Sequence, residues 1–296
     1  MKKFLFCFIT ISLILIINSF CFGLEVNSPY AVLIDASNGR VLFEKDAYTK
    51  AIPASTTKIM TAILTLEKAS LNEGAIASKN AINLVPSGGS HANIQAGESF
   101  TIEDLLKALL LVSGNDAANI LAEHVGGSIE EFVKMMNEKA SEIGCRNTHF
   151  TNPSGLDDDN HYSCAYDLAI MYKYAYNTFP DFRRIIITKS FTLPTTDLYT
   201  KDDRRYINNN RLLNDLAGTD GFLYYYPDCT GGKVGYTSKA KNCLVASAEQ
   251  NGINIISCVL GAEQAPDKSS YRYLDTKALF DYGFLRLKKA TLASSR

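Results

Sequence analysis

A serine and a lysine separated by two residues, Ser55 and Lys58, are the first pair in the sequence that could carry out nucleophilic catalysis. Apolar residues recur at helical spacing directly after them, so both side chains are expected on one face of a helix. The Lys58 amine could then take the proton of the Ser55 hydroxyl as that oxygen attacks a carbonyl carbon. A lysine acts as a base only when burial or another cation lowers its pKa. The site therefore needs a second basic residue.

The same spacing recurs at Ser238 and Lys241, so the pattern alone has little specificity. The context separates the two matches. Ser55 follows Pro53 and opens an amphipathic helix, whereas Ser238 follows a predicted strand and lacks helical periodicity. We therefore assign the nucleophile to Ser55.

Two further polar motifs follow in the chain. Ser113-Gly114-Asn115 lies between two predicted helices, and Lys233-Val234-Gly235 lies on a predicted strand. Taken singly, Ser113 and Asn115 are typical of helix caps, and Lys233 is typical of a surface lysine. Taken together, they supply the second cation that the first motif requires, and they add a hydroxyl and an amide.

Strands at both ends of the chain and helices between them must bring these motifs together. Strands are predicted over 31–34, 41–43, 185–187, 222–226, 232–237, 243–248 and 253–260. Helices are predicted after Pro53, after a cap at Thr101, from Ser128 to a stop at Gly144, over 167–176 and over 270–282. The pattern predicts an α+β fold, in which the two chain ends form one sheet and a helical region is inserted. The site is expected where the sheet meets the helices.

The chain resembles the low-molecular-mass serine D-alanyl-D-alanine carboxypeptidases, the penicillin-binding peptidases of family S11 that trim peptidoglycan stem peptides. The resemblance covers nearly all of the chain after residue 23 and rests on the segments 30–35, 53–62, 113–118, 152–156 and 232–237. It implies a fold similar to β-lactamases and DD-peptidases, with an antiparallel sheet flanked by helices. It also implies two partners, a peptidoglycan stem peptide as substrate and β-lactam antibiotics as covalent inhibitors.

The resemblance gives the helical motifs their roles. Ser55 would attack the carbonyl of the penultimate D-Ala and Lys58 would be the general base. Ser113 and Asn115 would relay protons and hold the substrate amide. The backbone N–H groups of Ser55 and Tyr236 would form the oxyanion hole. Water would then hydrolyse the acyl-enzyme.

The strand motif would bind the substrate. Lys233 would lie at the substrate carboxylate and keep the general base neutral, and Gly235 and Tyr236 would border the substrate. The family usually has threonine where this chain has Val234, which lacks the hydroxyl. Loss of a charge-assisted hydrogen bond would cost roughly 1.5–3 kcal/mol and weaken carboxylate recognition. Thr237 shares the strand face of Lys233 and is expected to compensate in part.

Two alternative functions remain open from the residues. A class A-like β-lactamase needs a glutamate downstream of the Ser113 motif to activate the deacylating water, but no glutamate occurs between Glu142 and Glu249. The penicillin adduct is therefore expected to be long-lived. A non-catalytic protein that binds peptidoglycan or β-lactams is the other alternative, and Val234 is its only indication.

The first 23 residues have the layout of a secretory signal peptide. Lys2 and Lys3 precede an apolar run over 4–17, and Cys21-Phe22-Gly23 fits a cleavage site. An uncleaved membrane anchor is the alternative. We expect a secreted, extracytoplasmic protein of the cell envelope with no strong membrane anchor after cleavage. Its catalytic domain would span 24–290, followed by a tail over 291–296.

Composition excludes several other classes. The net charge of −1 argues against nucleic-acid binding, which needs a basic face. Five cysteines follow residue 23 with no paired spacing, so they are expected to be buried and reduced. We expect neither a metal nor another cofactor, because zinc-ligand spacing is absent among His91, His124, His149 and His161.

Overall fold

The computed structural model describes residues 24–215, 218 and 220–294, so the predicted signal peptide lies outside the described residues. A five-stranded antiparallel sheet has the order β2-β1-β9-β8-β7, and both ends of the chain contribute to it, as predicted. Its strands are β1 (Tyr30–Asp35), β2 (Val41–Lys45), β7 (Cys229–Thr237), β8 (Lys241–Gln250) and β9 (Ile253–Ala262). Strand β7 forms one edge of this sheet.

A helical region lies between β2 and β7. It begins with a 3-10 turn over Ala54–Thr57 and contains two small two-stranded antiparallel sheets, β3 (Gly74–Ile76) with β4 (Ser99–Thr101) and β5 (Ser190–Thr192) with β6 (Arg205–Ile207). Its helices are α1 (Lys58–Lys68), α2 (Lys79–Asn83), α3 (Ile102–Leu111), α4 (Asn115–Gly126), α5 (Ile129–Ile143), α6 (Ala165–Thr178) and α7 (Pro180–Ile186). The predicted caps are confirmed: the Thr101 and Ser128 hydroxyls each accept a backbone N–H three residues later, and Gly144 ends α5 at φ +96°.

Two apolar clusters hold the sheet between layers of helix. The larger cluster fills the helical region and packs against one sheet face, with Ile34, Val245 and Ile256 among its sheet residues. The smaller cluster lies on the other face, where Leu33 and Val259 meet the last helix, α8 (Tyr271–Ser294). Alternate strand residues therefore enter different clusters, as the period of two requires. The α+β prediction is confirmed.

The strand predicted over 185–187 is wrong, because this segment forms the end of α7. Proline occupies the first turn of that helix, where its missing N–H costs nothing. Phe182, Ile185 and Ile186 are all buried, at the helical spacing of three and four residues. The apolar run was too short to distinguish a helix from a strand by composition.

The strand predicted over 222–226 is also wrong, because this segment pairs with no strand. Its aromatic side chains pack on α8 instead. The Tyr224 ring stacks on Tyr273 with centroids 4.5 Å apart, and the Tyr226 hydroxyl donates to Asp281 Oδ1 at 2.8 Å. Side-chain contacts with a helix thus replace the backbone pairing that the β-favouring residues predicted.

The last helix extends to Ser294, well beyond the end predicted at residue 282. Within the described residues, no helix combines the length and the apolar character needed to cross a membrane. The same part of the chain contains no cluster of three or more His, Cys, Asp or Glu residues that could bind a metal. The five cysteines after residue 23 are free, and four of them are buried.

Candidate active site

The turn that carries Ser55 lies between β2 and α1 and packs against the edge strand β7. The α-helix begins directly at Lys58. Ala54, immediately before the serine, has a φ of +49°, in the left-handed region that non-glycine residues rarely adopt. Such strain persists only where surrounding packing enforces it, and it is concentrated at functional sites. The backbone therefore holds Ser55 in one position at the start of α1.

The Lys58 amine is buried and has three oxygen neighbours. Its Nζ lies 3.0 Å from Ser55 Oγ and 2.7 Å from Asn115 Oδ1. The third neighbour is the backbone carbonyl oxygen of Ser154, at 2.6 Å. A neutral amine has two N–H bonds and one lone pair. When the two carbonyl oxygens accept the N–H bonds, the lone pair faces the Ser55 hydroxyl, which is the arrangement that a general base requires.

The electrostatic surroundings favour this neutral amine. Burial lowers the pKa of Lys58 well below its ordinary value, and the charge of Lys233 lowers it further, although Asp116 opposes them. Burial, aided by Arg272, also lowers the pKa of Lys233 to about 7. The second cation that the first motif required therefore lies close enough to act on Lys58.

The Ser113 turn joins α3 to α4 and borders the same cleft. Ser113 has a φ of +66°, and its buried hydroxyl has no hydrogen-bond partner. A buried polar group left unpaired costs about 1–3 kcal/mol, so its retention indicates a function beyond folding. Asn115 is the first residue of α4, and its backbone N–H donates to the Ser90 carbonyl at 2.9 Å. The loop before β4 is thereby attached to this turn.

Strand β7 approaches Ser55 closely because Gly235 has no side chain. A Cβ at this position would lie 3.0 Å from the Ser55 nitrogen, tighter than nearly all real contacts. Lys233 lies on the same strand but is fully buried, and its Nζ donates to the Val234 carbonyl at 2.8 Å. Lys233 therefore lies beneath the cleft and acts on the site through its charge.

The cleft has a volume of about 600 Å³, and the structure groups the predicted site residues around it. Two of them, Lys58 and Lys233, are buried below its surface. Its walls include the other seven: Ser55, Ser113, Asn115, Val234, Gly235, Tyr236 and Thr237. Tyr236 is 61% exposed at the rim. The Thr237 hydroxyl donates to Asp157 Oδ1 at 2.7 Å, so it already has a partner.

The three motifs did not predict that the turn over 152–156 contributes to the environment of Lys58. The Ser154 carbonyl accepts a hydrogen bond from Lys58, and Gly155, at φ +83°, packs against the Ser55 turn. A Cβ on Gly155 would lie 1.9 Å from the Ala54 carbonyl oxygen, so no other residue fits there. The only signal in the sequence was that this segment belongs to the family resemblance.

Arg272, in the first turn of α8, was also missed. It lines the cleft, its Nη1 donates to the Gly235 carbonyl at 3.2 Å, and its buried Nε has no partner. No motif surrounds this arginine in the sequence. The structure thus adds a partly unsatisfied guanidinium beside Val234, where a carboxylate could bind it.

Comparison with known proteins identifies the family. Residues 20–264 match the family model for D-alanyl-D-alanine carboxypeptidases, peptidase family S11. The chain is 37% identical over 253 residues to a D-alanyl-D-alanine carboxypeptidase, DacF, of Bacillus subtilis, with 81% of this chain and 59% of that protein covered. It is 31% identical to DacB2 of Mycobacterium tuberculosis, with 89% and 84% covered. The match thus spans about three fifths of the Bacillus protein.

Solved structures agree as well. The DD-transpeptidase of Streptomyces K15 superposes with a TM-score of 0.78 at 28% identity, covering 88% of this chain and 98% of that one. A D-alanyl-D-alanine carboxypeptidase from Mycobacterium tuberculosis gives a TM-score of 0.77 at 31% identity, covering 88% and 92%. The chain therefore belongs to peptidase family S11, the D-alanyl-D-alanine carboxypeptidases.

Proposed function

We propose that this protein is a serine D-alanyl-D-alanine carboxypeptidase that removes the terminal D-Ala from peptidoglycan stem pentapeptides. The observation that carries the proposal is the environment of Lys58, whose two carbonyl neighbours leave its lone pair for Ser55 Oγ at 3.0 Å. Burial and the charge of Lys233 lower the pKa of this amine well below its ordinary value and so favour its neutral form. A serine with such a base is equipped to attack an amide carbonyl.

The reaction proceeds in two steps. Ser55 Oγ forms a bond to the carbonyl carbon of the penultimate D-Ala while its proton passes to Lys58. The backbone N–H groups of Ser55 and Tyr236 stabilise the oxyanion. The amide C–N bond then breaks, and the proton reaches the leaving nitrogen through Lys58, Ser113 or both. Water cleaves the resulting ester and frees Ser55.

Arg272 is the group that we propose for the substrate carboxylate. Arg272 lines the cleft, and its Nη1 donates to the carbonyl of Gly235, next to the Val234 position where the family usually offers a hydroxyl. Charge-assisted bonds from a guanidinium to a carboxylate are among the strongest hydrogen bonds in proteins. The terminal carboxylate would therefore still be recognised without a threonine hydroxyl.

The direct test is release of D-Ala from a synthetic peptide that ends in D-Ala-D-Ala, with a D-Ala-L-Ala peptide as the control. We expect release from the first peptide only. The protein should also form a penicillin adduct that persists, because none of the described residues lining the cleft carries a carboxylate that could activate water. Rapid hydrolysis of penicillin would instead favour a β-lactamase, and binding without D-Ala release would favour the non-catalytic alternative.

Restoring the hydroxyl with Val234→Thr is expected to raise the second-order rate of acylation about 10-fold. Val234 lines the cleft and is half-buried, so the new hydroxyl can reach a bound carboxylate without repacking. One charge-assisted hydrogen bond is worth roughly 1.5–3 kcal/mol, and Arg272 already supplies part of that recognition. The measurement is the rate of adduct formation with penicillin and the rate of D-Ala release.

Val234→Ile is the matched control, because it keeps the branched shape without adding a hydroxyl. Its acylation rate should not exceed that of the unmodified protein. Equal rates for Val234→Thr and the unmodified protein would show that carboxylate recognition does not depend on this position.

We also propose that residues 1–23 direct secretion and that 24–290 form the catalytic domain, followed by a tail over 291–296. Support comes from the basic and apolar layout of the first segment and from substrates that belong to the cell envelope. The proposed partners are therefore a peptidoglycan stem peptide and β-lactams, and the net charge of −1 gives no reason to propose nucleic acid as a partner.

A further inference from the structure

His161 is buried, 1% exposed, and has hydrogen-bond partners at both ring nitrogens. Its Nδ1 lies 3.1 Å from the backbone nitrogen of Thr151, which can only donate, so Nδ1 is the acceptor. The ring hydrogen therefore resides on Nε2, which donates to Thr57 Oγ1 at 2.8 Å. The imidazole thus joins two segments that are far apart in the chain.

One of these segments is the turn that carries the nucleophile. Thr57 follows Ser55 by two residues and immediately precedes Lys58. Its side chain is fully buried, and its hydroxyl lies 2.9 Å from the position that a Cβ on Gly155 would take. The bond from His161 therefore holds the Ser55 turn at its point of contact with the turn over 152–156.

The other segment leads directly into the turn over 152–156. Asn152 Oδ1 accepts the backbone N–H groups of Ser154, Gly155 and Leu156 at 3.2, 2.7 and 3.1 Å. These bonds fix the orientation of the Ser154 carbonyl, which accepts a hydrogen bond from Lys58. His161 accepts the backbone N–H of Thr151, one residue before Asn152, so it holds the residue that leads into this turn.

We propose that His161 is a positioning residue that holds the Ser55 turn and the turn over 152–156 in register. Lys58 thereby keeps its lone pair directed at Ser55 Oγ. This inference rests on the proposed function. His161 does not line the cleft and has no direct hydrogen bond to Ser55 or Lys58 among the described contacts. It acts through Thr57 on one side and through the turn over 152–156 on the other.

A neutral histidine suits this role because it offers one donor and one acceptor at fixed geometry. Burial lowers the pKa of His161 to about 4, and the nearby His149 and Lys58 add to this, although Asp158 opposes them. Protonation would place an N–H opposite the Thr151 N–H and break the link between His161 and Thr151. The ring is therefore expected to be neutral at neutral pH and to lose the bond from Thr151 only as the pH falls through about 4.

Two variants of His161 separate the two links. His161→Gln retains an amide donor near the Nε2 position for Thr57, and His161→Asn retains an acceptor near the Nδ1 position for Thr151. Thr57→Val removes the hydroxyl that accepts the His161 hydrogen bond, with almost no change in volume, and Thr57→Ser retains that hydroxyl. We expect the acylation rate constant to fall about 10–100-fold in His161→Gln, His161→Asn and Thr57→Val, because displacements of about 1 Å have effects of this size. Thr57→Ser should recover most of the rate.

The measurement is the acylation rate per labelled site, separated from the initial binding constant by varying the penicillin concentration. The final adduct stoichiometry counts the folded sites. His149→Phe is the matched control, since His149 is exposed and the one hydrogen bond of its ring among the described residues is to the Asn160 carbonyl. It should retain the unmodified rate.

A loss that appears only as fewer labelled sites or a lower melting temperature, with an unchanged rate per site, would mean that His161 has a structural role, and the inference would be overturned. Unchanged rates in Thr57→Val and the His161 variants would overturn it as well. If the unmodified protein itself forms no adduct, the proposed function fails first, so the two failures are distinguishable.

Discussion

Replacement of Ser55 with alanine is expected to abolish the covalent penicillin adduct and to lower D-Ala release about 10³-fold or more. The variant keeps the cleft, since Ser55 is partly exposed and its side chain makes one hydrogen bond, to Lys58. Only the oxygen that forms the acyl bond is lost. Intact-mass spectrometry after incubation with penicillin measures the adduct, and peptide mapping of the unmodified protein should locate it at Ser55.

Ser238→Ala provides the matched comparison, because Ser238 and Lys241 repeat the spacing of Ser55 and Lys58. The penicillin mass increase should persist in this variant. Labelling that persists in Ser55→Ala and disappears in Ser238→Ala would transfer the nucleophile to the second motif. In that case the position of Lys58 beside Ser55 would no longer support the proposed mechanism.

Replacement of Lys58 with methionine is expected to lower the acylation rate about 10³-fold or more, because Ser55 then has no base. Methionine has a similar length and fills the buried space, although the Asn115 side chain and the Ser154 carbonyl lose their shared partner. The measurement is the rate of adduct formation at high penicillin concentration, accompanied by thermal unfolding to confirm that the variant folds.

The unmodified protein should show an acidic limb in its acylation rate. Only neutral Lys58 accepts a proton, so the rate falls as the pH drops through the pKa of this amine. That pKa is depressed by burial and by Lys233, so activity should extend far below the ordinary lysine value. As the pH falls through about 7, protonation of Lys233 disfavours a second charge on Lys58 and keeps it neutral to lower pH.

Lys58→Arg serves as the control for this assignment. An arginine keeps the charge at every accessible pH and cannot act as a base, so its acylation rate should stay low with no recovery at high pH. Lys241→Met, which removes the lysine of the second motif, should leave the acidic limb in place. A limb that survives in Lys58→Met would contradict the role of Lys58.

Local signals in the sequence predicted much of the fold. Capping residues at Thr101 and Ser128 and the stop at Gly144 set helix boundaries, because each satisfies backbone groups within a few residues. The errors occurred over 185–187 and 222–226, where short apolar or aromatic runs suit either a strand or a helix contact. In those segments, contacts with neighbouring elements decided the conformation, and no local sequence pattern encodes those contacts.

The sequence by itself determined which side chains could react. A serine and a lysine at helical spacing, a serine two residues before an asparagine and a lysine on a strand specify the groups and the family. These are properties of residue type and order, which can be read directly from the sequence.

Only the tertiary structure decided how those groups work together. The Ser154 carbonyl that directs the Lys58 lone pair is a backbone atom present at every residue, so no sequence pattern marks it. Arg272 likewise acquires its role from Gly235, 37 residues away along the chain, and His161 acquires its role in part from Thr57, 104 residues away. The depressed pKa of Lys58 arises from burial and from a second cation, and both exist only once the sheet and the helical region have packed together.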